Sequence, residues 1–317
     1  MSADGTFHAL RPLPEPERPE RHDPAAARAR LEAQELPPTL HDFRASAPHF
    51  RVSRELETAV NMALSVGAPL LLTGEPGTGK TQVAWYLGWY FGIDVFSYQV
   101  RSTSTSTDVK YDFDAVAYLR EAQHPEPDGP DGRRTRTDFL RPRALWLAYD
   151  SEAPCVLLID EIDKAPRDFP NDLLEELDKH QFEHPFEERR IEPRAPRPPV
   201  VVITSNVERR LPDAFLRRCI HHHIELTERL LHDAVAARAG DFPSLSEELR
   251  HEALRRFLEL REVEGLRKKP STAELLVWLT ILSARGTPLA ELQNAPLHDL
   301  PGLAALLKDH EDRSSLR

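Results

Sequence analysis

The densest chemistry in the chain sits at Lys80 and Thr81, because of what precedes them: Gly74-Glu75-Pro76-Gly77-Thr78-Gly79. Together they match G-x-x-x-x-G-K-[ST], a loop that cradles phosphate. Glycines at 74, 77 and 79 permit backbone angles closed to side chains, so successive N–H groups can turn inward on an anion. Lys80 then reaches the β- and γ-phosphates of a nucleotide, and the Thr81 hydroxyl is placed to ligate Mg²⁺. A second set of groups, Asp160 and Glu161, closes an uncharged run that starts at Pro154. Downstream of a phosphate loop, Asp160 is expected to hold Mg²⁺ through its water shell, and Glu161 to accept the proton of an attacking water. Asn206 ends the run PVVVITSN and is the candidate to hold that water against the γ-phosphate.

These residues need elements to position them. Pro69 to Thr73, Pro154 to Ile159 and Pro199 to Ser205 are short, apolar and rich in branched residues, which suits strands buried on both faces of a parallel sheet. Their carboxyl ends would then open on one crevice, where open α/β sheets bind ligands. Gln82 to Phe91 reads as a helix whose positive N-terminal end faces the phosphates. Further helices are expected at Ser53–Val66, Ala115–Gln123, Pro142–Asp150 and Asp168–His180, and a second strand at Ile93–Val100. Arg101 to Asp114 is too polar for core. Gln181 to Pro199 suits a projecting hairpin or loop. From Thr227 onward the periodicity is helical, over Leu230–Ala239, Ser244–Val263, Ser271–Ala284 and Leu303–Lys308, with capping boxes at Ser244/Glu247 and Ser271/Glu274.

A chain of 317 residues holds one large core and a second unit. The expected division is a Pro/Arg/Glu-rich tail over 1–46, mostly disordered with one short helix at Pro24–Gln34, an α/β core over 47–226 and a helical domain over 227–317. The formal net charge of −11 and a pI near 5.7 argue against unspecific binding to nucleic acid or anionic membrane. One local exception is Arg133, Arg134, Arg136, Arg141 and Arg143. Two readings stand for it: a solvated loop or intersubunit salt bridges, which base expectation favours, or the basic lining of a channel for an acidic peptide or nucleic acid. Two cysteines, Cys155 and Cys219, support neither a disulfide framework nor a zinc knuckle, and a reduced cytoplasmic setting is expected. No signal peptide is read at the N-terminus, and no apolar run is long enough to insert in a membrane.

With these stretches in hand, the chain resembles the AAA+ ATPases, and within them the MoxR-like group. The matching residues are GEPGTGKT at 74–81, LLIDEIDKA at 157–165, ITSN at 203–206, LPDAFLRRC at 211–219 and KKPSTAELLVWL at 268–279. The resemblance implies an α/β AAA+ P-loop NTPase core, a central parallel sheet flanked by helices, with a C-terminal all-helical lid domain. It implies ATP and Mg²⁺ as ligands, a homo-oligomer of hexameric form with ATP between subunits, and hydrolysis used to remodel partner proteins, commonly beside a protein carrying a von Willebrand factor A domain. By position, Lys80 and Thr81 become the Walker A pair, Asp160 and Glu161 the Walker B pair, and Asn206 the sensor 1 residue. Arg218 falls where the family's arginine finger lies, with Arg217 as the other candidate. The sensor 2 position departs from the pattern: Pro270-Ser271 occupies it, and Lys269 is the substitute contact to phosphate, without an arginine's bidentate grip.

Other functions compete with this one. A nucleotide-gated binding module that hydrolyses only incidentally has no need of Glu161. A factor acting on nucleic acid has only the arginine cluster in its favour. The run His221-His222-His223 invites a metal, but adjacent strand residues point to opposite faces and cannot readily share one ion.

Overall fold

The computed structural model describes residues 23–33, 42–123, 134–206 and 211–316. These fall into two units, Val52–Glu225 and a second one made of the described parts of 1–51 and 226–317. The described residues begin with α1 (Pro24–Glu32) and α2 (Phe43–Ser46), both in the second unit. The α/β unit then runs α3 (Arg54–Val66), β1 (Leu70–Gly74), α4 (Lys80–Phe91), β2 (Asp94–Gln99), α5 (Ser106–Lys110), β3 (Tyr111–Phe113), α6 (Ala115–Gln123), β4 (Leu140–Pro142) and α7 (Ala144–Asp150). It continues with β5 (Cys155–Asp160), α8 (Phe169–Asp172), α9 (Leu174–Lys179), β6 (Phe182–Glu183), β7 (Arg190–Ile191), β8 (Val200–Ser205), α10 (Asp213–Leu216) and β9 (Ile220–Ile224). The second unit adds α11 (Glu228–Ala237), α12 (Glu247–Arg261), α13 (Thr272–Arg285), α14 (Leu289–Asn294), α15 (Leu303–Leu306) and α16 (His310–Ser314).

Five strands make one parallel sheet in the order β2-β5-β8-β1-β9. The three inner strands read as unbroken apolar runs because both of their faces are covered: every residue of β1 and β5 is buried, and of β8 only Val200 is not. Leu71, Leu157, Ile159 and Ile203 pack against Leu145, Tyr149, Phe169 and Phe215 from the covering helices. In the helical unit Phe257, Leu275, Leu279 and Trp278 form a separate core, and the Trp278 indole donates to Pro301 O at 2.6 Å. Truncating a side chain buried in this way costs roughly 3–5 kcal/mol, so each unit has its own source of stability. No helix among the described residues is long and apolar enough to cross a membrane.

Several elements differ from the expected ones. The polar stretch 101–114 is ordered: Thr105 and Asp108 form a capping box that starts α5, Val109 is fully buried, and β3 pairs antiparallel with β4. Lys110 closes this subdomain with an ion pair to Glu176 at 2.8 Å. The helix expected over Asp168–His180 breaks into α8 and α9 at Leu173, whose fully buried side chain turns into the core. The cap of α12 is Ser246, which accepts from Leu249 N at 3.2 Å. Ser244, expected in that role, is bonded to Ser283 instead. Gln181–Pro199, by contrast, holds the expected hairpin, β6–β7. Residues 47–51 belong with the helical unit, where His49 Nδ1 lies 3.0 Å from Ala237 O.

Candidate active site

Between the end of β1 and the start of α4 runs the glycine loop, and its glycines are required where the backbone is most constrained. Gly77 and Gly79 have φ of 78° and 89°, in the left-handed region. Gly74 has φ of 148°, and a Cβ placed on it would lie 2.4 Å from Ile224 O of the neighbouring β9. Glu75, Pro76 and Gly77 are exposed on the rim, while Thr78 is buried with its hydroxyl on Glu75 O at 2.9 Å. Lys80 is also buried. Its ammonium donates to Gly74 O at 2.9 Å and Glu75 O at 2.8 Å. Burial pulls the Lys80 pKa below the ordinary lysine value, and the carboxylates of Asp163, Asp160, Glu161 and Glu75 oppose that pull.

Two strands away, β5 delivers Asp160 to the same edge. Its Oδ1 accepts the hydroxyls of Thr81 at 2.8 Å and Thr204 at 2.6 Å. Burial raises the Asp160 pKa, and these two hydrogen bonds hold it down. Glu161 follows with φ of 60°, a strained angle for a residue with a side chain, and turns the chain away from the sheet. Its N–H donates to Thr204 Oγ1 at 2.8 Å. Its Oε1 accepts from Asn206 Nδ2 at 3.2 Å, and its Oε2 is bonded by Gln99 Nε2 and Lys164 Nζ. Thus Lys80, Thr81, Asp160, Glu161 and Asn206, drawn from positions 80 to 206, meet at one edge of the sheet.

Hard oxygen donors from Thr81 and Asp160, 2.8 Å apart beside the glycine loop, suit a cation that keeps most of its water shell. Among the described residues no group of three or more His, Cys, Asp or Glu is arranged to hold a metal ion. His221 and His223 share one face of β9, where the Thr73 hydroxyl lies 2.8 Å from His221 Nε2 and 3.0 Å from His223 Nδ1.

Two predicted residues lie apart from this cluster. β9 runs parallel to β1 with Ile220 opposite Leu70 and Ile224 opposite Gly74, so Arg217 and Arg218, just before β9, sit at the other edge of the sheet. A strand of that length spans roughly 15 Å, beyond an arginine's reach to its own loop. Arg217 is exposed, and Arg218 is paired with Asp178. Lys269 belongs to the helical unit, where it lines a cavity of about 410 Å³ with Lys268, Lys308 and His310.

The arginine cluster takes the solvated reading in its described part. Arg141 pairs with Asp114 at 2.7 Å and Arg143 with Asp112 at 3.1 Å. Arg136 lies over the rings of Tyr118 and Phe186, and Arg134 over Phe139. Arg133 lies outside the described residues.

Four site residues escaped sequence reasoning: Gln99, Asp163, Lys164 and Thr204. The one usable signal was the polar Thr204 inside an apolar strand, two places before Asn206 and so on the same face.

Residues 69–219 match the family described as AAA domain, dynein-related subfamily. That segment is an AAA+ domain. No curated protein matches the sequence. Among solved structures, a candidate ATPase of Cytophaga hutchinsonii is 14% identical with a TM-score of 0.39, over 84% of this chain and 86% of that one. NtrX of Brucella abortus, solved in complex with ADP, is 15% identical with a TM-score of 0.45, over 89% of this chain and 61% of that one. Likenesses this distant carry nothing about chemistry, so the AAA+ assignment rests on the family match and on the fold.

Proposed function

We propose that the chain binds ATP with Mg²⁺ and hydrolyses it at the edge where β1, β5 and β8 end. ATP-driven activity is the property of the family at large; the roles of individual residues are our reading. One observation carries it: the Thr81 hydroxyl on Asp160 and the Asn206 amide on Glu161, which join the phosphate loop, the metal-binding acid, the base and a water-orienting amide. Thr81 and Asp160 would hold Mg²⁺, which when bound neutralises charge on the phosphates. Lys80, now on two carbonyls of its own loop, exchanges them for phosphate oxygens. Glu161 accepts the proton of water once it gives up Gln99 and Lys164, and Asn206 orients that water.

The proposal extends to assembly. Arg218, or Arg217 beside it, serves a neighbouring copy, since neither reaches its own loop. A finger of this type is worth roughly 10³ to 10⁵ in rate. Hydrolysis then needs an oligomer, a hexameric ring by the MoxR-like resemblance. Lys269 supplies the sensor 2 contact, and the work done is remodelling of a protein partner, including one with a von Willebrand factor A domain.

A second reading is favoured by the engagement of both Glu161 oxygens. A base so held suits a nucleotide-gated module with only incidental turnover. Steady-state hydrolysis against protein concentration, for wild type, Glu161→Gln and Arg218→Ala, decides between them. We expect specific activity to rise with assembly and both variants to lose it while binding ATP. Activity absent, or independent of assembly, supports the gated module.

A further inference from the structure

We propose that Asp163 is a positioning residue: it fixes Asn206 by accepting its backbone N–H, and through Asn206 it fixes Glu161. The inference rests on hydrolysis at this site. The ladder of β8 with β5 ends at Ile203, and its ladder with β1 ends at Ser205. The Asn206 N–H lies three residues beyond the first and one beyond the second, and no strand among the described residues takes it. Glu161, at φ of 60°, turns the chain into a single 3₁₀ turn, Ile162–Lys164, which swings Asp163 back under the end of β8. Asp163 Oδ1 then accepts the Asn206 N–H at 3.0 Å. The Asn206 side chain donates to Glu161 Oε1 at 3.2 Å, which closes a ring of contacts from the base back to itself.

The second oxygen of Asp163 points to the same role. Asp163 is 4% exposed, and Oδ2 is buried without a hydrogen-bond partner among the described residues. An unpaired buried acceptor is costly, and a fold keeps one when the group does something else. A carboxylate packed only as filler would be replaced by an apolar side chain at no loss. Here one oxygen anchors the amide that faces the base. The charge of the group lies near the buried ammonium of Lys80, where Asp163 is the strongest of the attractions.

The role assigned to Oδ1 needs an acceptor, not a charge. Asp163→Asn keeps an oxygen for the Asn206 N–H, and Asp163→Ala removes it. A misplaced catalytic group costs on the order of tenfold to a hundredfold in rate, so Asp163→Ala is expected to lose that much kcat, with ATP affinity within about threefold of wild type. Asp163→Asn is expected to keep kcat within about threefold. Amide exchange without nucleotide gives a readout independent of activity: the Asn206 N–H stays protected in wild type and Asp163→Asn, and exchanges at least about tenfold faster in Asp163→Ala. Thermal melting checks the fold of each variant, and Asp163→Ser, one bond too short to reach the amide, stands in should the alanine variant not fold. Equal loss of kcat in Asn and Ala variants overturns the inference in favour of the charge on Lys80. Unaltered Asn206 exchange in the alanine variant overturns it outright. The expected exchange pattern in a wild type without hydrolysis removes the ATPase reading and leaves the anchoring of Asn206 in place.

Discussion

Replacing Thr204 by valine keeps the shape of a fully buried side chain and removes one hydroxyl that serves both acidic residues. That hydroxyl donates to Asp160 Oδ1 at 2.6 Å and accepts the Glu161 N–H at 2.8 Å. A hydrogen bond to a charged group contributes about 1.5–3 kcal/mol, and a buried donor stripped of its acceptor costs about 1–3 kcal/mol. The two overlap, so we expect Thr204→Val to destabilise the protein by about 2–4 kcal/mol. For a unit of this size that is a fall of roughly 6–12 °C in melting temperature. Thr204→Ser keeps the hydroxyl and gives up one buried methyl, at about 1 kcal/mol. The assay is urea and thermal unfolding of the full chain across pH. Burial raises the Asp160 pKa in the folded protein, so its penalty is present where the group is ionised and is relieved as pH falls. Thr204 stabilises the ionised form. The gap between Thr204→Val and wild type is therefore expected to narrow as Asp160 takes up its proton. A gap independent of pH, a serine variant as unstable as valine, or a valine variant within about 0.5 kcal/mol of wild type would refute the reasoning.

Two further outcomes are expected. Gly74→Ala sets a Cβ against the backbone oxygen of Ile224, which no rotamer change can relieve, so β9 or the loop must move. We expect a loss of about 1–3 kcal/mol in unfolding measurements and weaker nucleotide binding by calorimetry; an unchanged variant would mean that the loop is looser than its contacts indicate. His180, His184, His221 and His222 all lie below the ordinary histidine value, chiefly through burial. The unfolded chain therefore takes up their protons first, so the stability they confer is full above the unfolded value of about 6.5 and is lost as pH falls through the folded values. Melting temperature should fall below that pH. Asn in place of His184, whose Nδ1 accepts the N–H groups of Phe186 and Glu187, should flatten the slope, and an unchanged slope would exclude His184 as a contributor.

The legible part of this protein is its inner sheet, and the reason is burial on both faces. Residues such as Leu70 to Leu72 or Val156 to Ile159 have no polar face to satisfy, so composition alone marks them as strands. The glycine loop and the paired acids were legible because their chemistry requires fixed residue types at a fixed spacing. Gln99 and Lys164 were not, because they reach Glu161 only through strand order and one turn. Gln99 ends β2, which lies beside β5 only because the sheet skips from β1 to its far edge before returning. The polar stretch 101–114 misled for a related reason: Val109 is buried, and its neighbours find partners far along the chain, Lys110 on Glu176 and Tyr111 opposite Pro142 in the β3–β4 ladder. Local pattern thus marks the groups proposed to bind phosphate, while the groups that hold Glu161 depend on topology. On the proposed function, a mutation in the second class is expected to stop hydrolysis and leave nucleotide binding intact, because Gln99, Lys164 and Asn206 meet the side chain of Glu161.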